Sequence, residues 1–201
     1  MPGIAWIGEA DRRTRPHRIP AVTAVLAGTL LVTGGSVPIL PALLNRVTTI
    51  AYAIEAGESR PGWRGGEIPY SWGGGHDDVP GPSFGTCAGY RGAITPCPAT
   101  ATRGLDCSGL TRWVYRLAYG RDVLGPGNTD DHLRRLRRIP AAVARPGDLV
   151  FYGRLGRHAK THHVGIYIGG EKMINALRTG TEVRIDPLSA IGDFAGYFRY
   201  S

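Results

Sequence analysis

The stretch GLDCSGLTRWVY, Gly104–Tyr115, decides how this chain is read. Asp106 is a favoured helix N-cap, and behind it Leu110, Val114 and Leu117 recur at i, i+4, i+7 spacing until Gly120, where a C-terminal stop belongs. The pattern predicts a helix beginning at Cys107. A cysteine in that first turn is a packed thiol, half of a disulfide, a metal ligand or a nucleophile. Free backbone N–H groups and the positive end of the helix dipole favour a thiolate there. A thiol of pKa ~8.5 falls further beside a cationic imidazole. The same N–H groups are suited to the oxyanion of a tetrahedral intermediate. The Asp106 carboxylate opposes the thiolate slightly, so a nucleophilic Cys107 needs a partner base.

The best base is His163, at the start of HVGIYIG. Alternation along a strand puts His163, Gly165 and Tyr167 on one face, and Gly165 is expected to leave room for a helix end. On the following strand Asn175 is placed to orient the imidazole, as the third member of a Cys-His-Asn set does. A zinc site built from His158, His162, His163 and a cysteine is the rival. HAKTHH, however, lacks a matched Cys-x-x-Cys or His-Glu-x-x-His pattern, and no metal is expected. His162 alternates away from His163 and reads as surface. His76 reads as simply exposed, and Trp72 and Trp113 as core or groove lining. WGGG has no following Gly-Lys-Ser/Thr and is not a phosphate loop.

Outward from these residues the chain divides by composition. It has 201 residues, 42% hydrophobic and 20% charged, enough for one ordinary core. Gly 30 and Pro 15 imply many turns and exclude a helical bundle. The first segment, 1–44, carries a basic stretch (RRTRPHR, Arg12–Arg18) and then an uncharged run from Ala21 to Leu44. That order is expected of a secretory signal or a retained membrane anchor, so the protein is expected to be exported, extracellular or wall-associated. Export favours oxidation of a cysteine pair, and Cys87 and Cys97 lie in one loop. Cys107 is then the odd thiol, although pairing with either loop cysteine stays open.

Residues 45–66 read as a helical lead-in and linker, with Val47, Ile50 and Ile54 on one face. The Gly/Pro-rich segment from His76 to Arg103 reads as a long structureless insertion. A second helix is expected from Thr129 to Arg138, with Arg134, Arg135, Arg137 and Arg138 on its solvated face. PGDLVFYG, HHVGIYIGGEKMINAL, TEVRIDPL and FAGYFRY supply strands, the second a hairpin turning at Gly169-Gly170. Helices followed by an antiparallel meander make an α+β domain. The net charge of +8 suits an anionic surface. There is no Arg/Gly-rich tail or nucleic-acid-binding motif, so no nucleic acid is expected as partner.

Taken in order, PYSWGGG, GLDCSGLTRWVY, RPGDLVFYG, HHVGIYIGGEKMINAL and TGTEVRI resemble the NlpC-type peptidases, papain-like bacterial cell-wall enzymes. The resemblance covers roughly Glu67 to Ser201. It implies a papain-like α+β fold with N-terminal helices packed on a five- or six-stranded antiparallel sheet. By position it implies Cys107 as nucleophile, His163 as general base and acid, and Asn175 in a third place that is often His. Tyr70 matches a tyrosine lining the site near the oxyanion. Asp106 and Ser108 match substrate-binding positions that hold a free amino terminus in relatives cutting short stem peptides. The implied partner is peptidoglycan stem peptide, with no cofactor and with membrane contact only through the N-terminal segment. The insertion carrying Cys87 and Cys97 departs from the usual short link. Two other readings remain at this level: acyl transfer or amide cleavage on a non-wall substrate, and non-catalytic wall binding with an inert Cys107.

Overall fold

The computed structural model describes residues 39–201, and the expected leader lies, up to residue 38, outside the described residues. Among the described residues no helix is long and apolar enough to cross a membrane. The first helix, α1, spans Ile39–Glu55, six residues earlier than the sequence suggested. The reason is packing. Leu44, Val47, Ala51 and Ile54 repeat at helical spacing and are all buried, so residues 39–44, read above as part of the leader, belong to this helix.

The central helix α2 (Cys107–Tyr119) begins and ends as expected. Asp106 caps it by accepting the Gly109 N–H at 2.7 Å, and Gly120, at φ 74°, closes it by donating to Arg116 O. Every residue from Cys107 to Tyr115 is buried, and α2 packs against both α1 and the sheet. A helix this enclosed is held on all sides, so its tip is a fixed point.

The expected helix at 129–138 stops early. Asn128 and Asp131 form a reciprocal capping box for α3 (Thr129–Leu133). The chain then tightens through a bond from Arg135 N to His132 O and becomes strand β3 (Arg137–Ile139). A polar helix here would bury nothing, whereas the strand pairs with the end of the chain and buries Ile139. Arg137 and Arg138 therefore lie on a sheet edge, not on a helix face.

The remaining strands are β4 (Leu149–Arg154), β5 (Lys160–Gly169), β6 (Lys172–Ala176), β7 (Val183–Pro187) and β8 (Phe194–Arg199). With β3 they form one antiparallel sheet of six strands, ordered β3-β8-β4-β5-β6-β7. Only β4 to β7 is a meander; β8 returns to lie between β3 and β4. A buried ion pair fixes that return, Arg199 Nε to Asp148 Oδ1 at 2.6 Å and Nη2 to Oδ2 at 2.7 Å. Val164, Ile166 and Ile174 enter the main core with the helices, while Val150, Tyr152 and Met173 form a second buried cluster.

The insertion is ordered rather than structureless. A short pair, β1 (Ser83–Phe84) with β2 (Arg103–Gly104), closes its base, and a disulfide joins Cys87 to Cys97 with Cα atoms 6.0 Å apart. Trp72 holds the closed loop against the body: its indole N–H donates to Ala88 O at 2.8 Å and its ring meets Tyr90 edge-on at 5.4 Å.

Candidate active site

Cys107 is free and buried at the tip of α2. Three backbone segments hold it. The Ile68–Gly75 segment runs beside residues 104–106, with Ser71 N donating to Leu105 O and Asp106 N donating to Gly74 O, both at 3.0 Å. Two glycines of WGGG, Gly74 and Gly75, permit this approach: a Cβ on Gly75 would lie 2.7 Å from Gly109 Cα, and one on Gly109 would lie 2.2 Å from Gly74 O. The third segment is β5. Its Val164 N–H, with the N–H groups of Ser108 and Cys107, stabilises negative charge on the sulfur, so the thiol lies against the residue that follows His163.

Those amides do not make Cys107 a thiolate at rest, contrary to the expectation from its helical position. Burial, helped by Asp106, outweighs them and pushes the thiol up to about 12. Burial likewise pushes the His163 imidazole down to about 4, although its bond to Asn175 works the other way. At neutral pH both groups are uncharged.

His163 and Asn175 are brought together across β5 and β6, Nε2 to Oδ1 at 2.9 Å, and both are buried. The amide's orientation follows from its other partners. Asn175 Nδ2 donates to Asp186 Oδ2 at 2.9 Å and, more weakly, to Arg184 O at 3.4 Å. A carboxylate only accepts, so the amide nitrogen faces Asp186 and its oxygen faces His163. His163 Nε2 then carries the hydrogen, which leaves Nδ1 with the lone pair that a general base requires. Asp186, itself buried and paired with Arg184 at 2.9 Å, is a site residue that sequence reasoning missed. Its only sequence signal is the two-residue periodicity of TEVRIDPL, which puts it on the strand neighbouring Asn175.

Gly165 serves a different purpose from the one expected. A Cβ there would come within 2.6 Å of Met173 Sδ, so the vacancy admits Met173 of β6 rather than the end of a helix. His162 is exposed and pairs with Asp193 at 2.8 Å, so the two adjacent histidines face different partners. Tyr70 lies close enough to Cys107 for the sulfur's charge to act on its phenol; burial first, then Cys107 and Asp106, raise that phenol and keep it a neutral donor.

Asp106 and Ser108 line the cleft together, Ser108 Oγ donating to Asp106 Oδ1 at 2.9 Å. His76, read from sequence as merely exposed, belongs with them: Nε2 is 2.9 Å from both Asp106 oxygens and 3.3 Å from Ser108 Oγ. The backbone of the same Gly-rich segment is tied down by buried Arg112, which donates to Asp77 O at 2.9 Å and pairs with Asp122.

Two depressions adjoin at this point, sharing Tyr70, Trp72 and His162. The cleft over Cys107 has a volume of about 470 Å³ and is walled by Asp106, Ser108 and His76. The groove on the His163 side has a volume of about 780 Å³ and runs between the disulfide-closed loop and the β6–β7 turn.

A cysteine at the tip of a helix that packs on an antiparallel sheet, with a histidine on the strand whose next residue, Val164, faces the sulfur, defines a papain-like α+β protein. The chain belongs to the NlpC/P60 family, whose model matches residues 66–192. It is 34% identical over 148 residues to the peptidoglycan endopeptidase RipB of Mycobacterium tuberculosis, covering 74% of this chain and 52% of that protein. To peptidoglycan endopeptidase RipA of the same organism it is 35% identical over 149 residues, 74% of this chain and 26% of that one. The solved structure of M. tuberculosis RipB superposes with a TM-score of 0.55 at 28% identity, covering 81% of this chain and 67% of the other. The chain thus spans about half the length, or less, of these curated relatives.

Proposed function

We propose that this protein is a cysteine peptidase that hydrolyses amide bonds in peptidoglycan stem peptides, between D-glutamate and the diamino acid that follows. The observation that carries the reading is the His163–Asn175–Asp186 chain, which leaves a lone pair on Nδ1 of His163, on the strand whose neighbouring Val164 N–H faces the buried sulfur of Cys107. As Sγ of Cys107 attacks the carbonyl carbon, Nδ1 of His163 takes the thiol proton. The phenol of Tyr70 and the N–H groups at the tip of α2 donate to the oxyanion. Collapse breaks the C–N bond, with the Nδ1 proton passing to the leaving amine, and leaves a thioester. Water, deprotonated by His163, hydrolyses the thioester and regenerates the thiol. Because both groups start neutral, the charge separation arises only with substrate in place.

Family membership and relatives named as peptidoglycan endopeptidases support the substrate class. The basic flank followed by an uncharged run at the start of the chain supports export to where that substrate lies. Defined stem tripeptides and tetrapeptides, incubated with the full chain and read by mass spectrometry, test the reading. Release of the diamino-acid half by the wild type and not by Cys107→Ala is expected. Cleavage that survives Cys107→Ala, or failure to cleave any stem peptide, overturns it.

A further inference from the structure

The cleft and the groove differ in charge. The cleft over Cys107 includes Asp106 and no lysine or arginine, whereas the groove beside His163 includes Arg91 and Arg178 and no carboxylate. Among the described residues neither guanidinium has an ion-pair partner. They stand on facing walls. Arg91 belongs to the loop closed by Cys87–Cys97, and Arg178 to the turn between β6 and β7. The walls nearly touch elsewhere: a Cβ on Gly180 would lie 2.9 Å from Ile94 Cδ1. Trp72 and the disulfide hold the Arg91 wall, and the bond from Thr181 Oγ1 to Arg178 O at 2.8 Å tightens the other.

Direction along the substrate follows from the chemistry. The group that protonates the departing nitrogen must lie on the side to which that nitrogen leaves. His163 lines the groove and Cys107 lines the cleft, so the acyl half occupies the cleft and the amine half the groove. Two unpaired arginines in a groove free of carboxylates suit an anion, and a guanidinium offers a carboxylate paired N–H donors.

We propose that the groove between the disulfide-closed loop and the β6–β7 turn is the subsite for the amine half of the substrate, and that Arg91 and Arg178 bind its carboxylate. The proposal rests on the peptidase reading and names the recognition chemistry of its leaving half. That carboxylate has two possible sources, the side chain of the diamino acid and the C-terminus of the stem.

The test uses the full chain carrying Cys107→Ala, titrated calorimetrically with the leaving half alone, meso-diaminopimelyl-D-alanine. Four forms are compared: free acid, side-chain amide, C-terminal amide and diamide. The free acid is expected to bind, and amidation of the recognised carboxylate to weaken it to the level of the diamide, which identifies the source. Arg91→Gln and Arg178→Gln should each weaken the free acid about tenfold and leave the diamide unchanged. Arg121→Gln, an exposed charge outside both depressions, should change neither. Equal binding of free acid and diamide overturns the subsite, as does arginine substitution indistinguishable from Arg121→Gln, or no binding at all. Cleavage is scored separately with the Cys107 chain. Arginine-dependent binding without cleavage of any stem peptide removes the peptidase reading and leaves the subsite standing. Cleavage without arginine dependence does the reverse.

Discussion

The two halves of the site are built differently. The Cys107 half is local: residues 70–76 lie beside 104–109, joined by backbone hydrogen bonds and glycine contacts, and the helix that follows is buried almost throughout. The His163 half is relayed across strands, from β5 to Asn175 on β6 to Asp186 on β7, from side chain to side chain. Main-chain contacts fix where the sulfur sits, and side-chain contacts fix which nitrogen of the ring carries the proton. The first half should therefore tolerate changes of neighbouring side chains, except at its glycines, whereas the second should respond to each partner.

The largest effect that would break this picture is at the sulfur. Cys107→Ala should fold normally, judged by circular dichroism, and lower stem-peptide cleavage by at least ~10⁴-fold, as loss of a nucleophile does. Retained cleavage would detach the chemistry from the helix tip.

Next in size is the response to pH, which separates the halves. The folded imidazole of His163 lies at about 4, below its ordinary value near 6.5, so stability it confers is fully present above 6.5 and lost as pH falls through 4. His132, buried and also near 4, acts in the same window, each contributing on the order of 3 kcal/mol. The Cys107 thiol is raised, so its contribution, on the order of 4 kcal/mol, is present below pH 9 and lost as pH rises toward 12. Denaturant unfolding across pH checks both limbs. Cys107→Ala should keep the acid limb and shed part of the alkaline one. The same groups predict wild-type kcat/KM level between about pH 5 and 9, falling as pH drops through about 4.

The strand relay is tested one step from the ring. Asp186→Leu removes the acceptor that holds the Asn175 amide nitrogen, and should lower kcat roughly tenfold and spread the His163 tautomer seen by nitrogen NMR. Asp186→Asn, which can still present an oxygen to Asn175, should restore most of both. Equal losses in the two variants would mean that the carboxylate serves only packing.

The smallest expected effect lies in the groove wall. Replacing Cys87 and Cys97 with Ser together should raise KM about threefold to tenfold with little change in kcat, because the loop loses its closure while Trp72 still docks it. A larger fall in kcat would tie the loop to the chemistry itself.

The same contrast explains what was legible in the sequence. The start of α2, its Asp106 cap, its Gly120 stop and the β5–β6 hairpin are local patterns, readable from spacing and turn chemistry. Asn175 could be paired with His163 because the hairpin brings them together within a dozen residues. His76 and Asp186 were missed for one reason: each acquires its role through a partner supplied by another segment, Asp106 and Asn175 respectively, and no local pattern announces it. The helix expected at 129–138 erred likewise, since pairing with β8, sixty residues later, overrode the propensity of HLRRLRR. The early start of α1 was masked by the continuity of the apolar run, which reads alike in a leader and in a core helix. The thiolate was expected from the N–H groups and dipole of the helix tip and a nearby imidazole, whereas the depth of burial, a property of the whole fold, governs the sulfur.

Gly75 and Gly109 face each other without space for a methyl group between them. The gap between the tip of α2 and its supporting loop is thus set at one layer of atoms, a spacing that no side chain can shim. A molecule with such an unadjustable floor can change what it accepts only at its rim, and here the rim includes a stapled flap that can be lengthened or redecorated while the machinery beneath stays put.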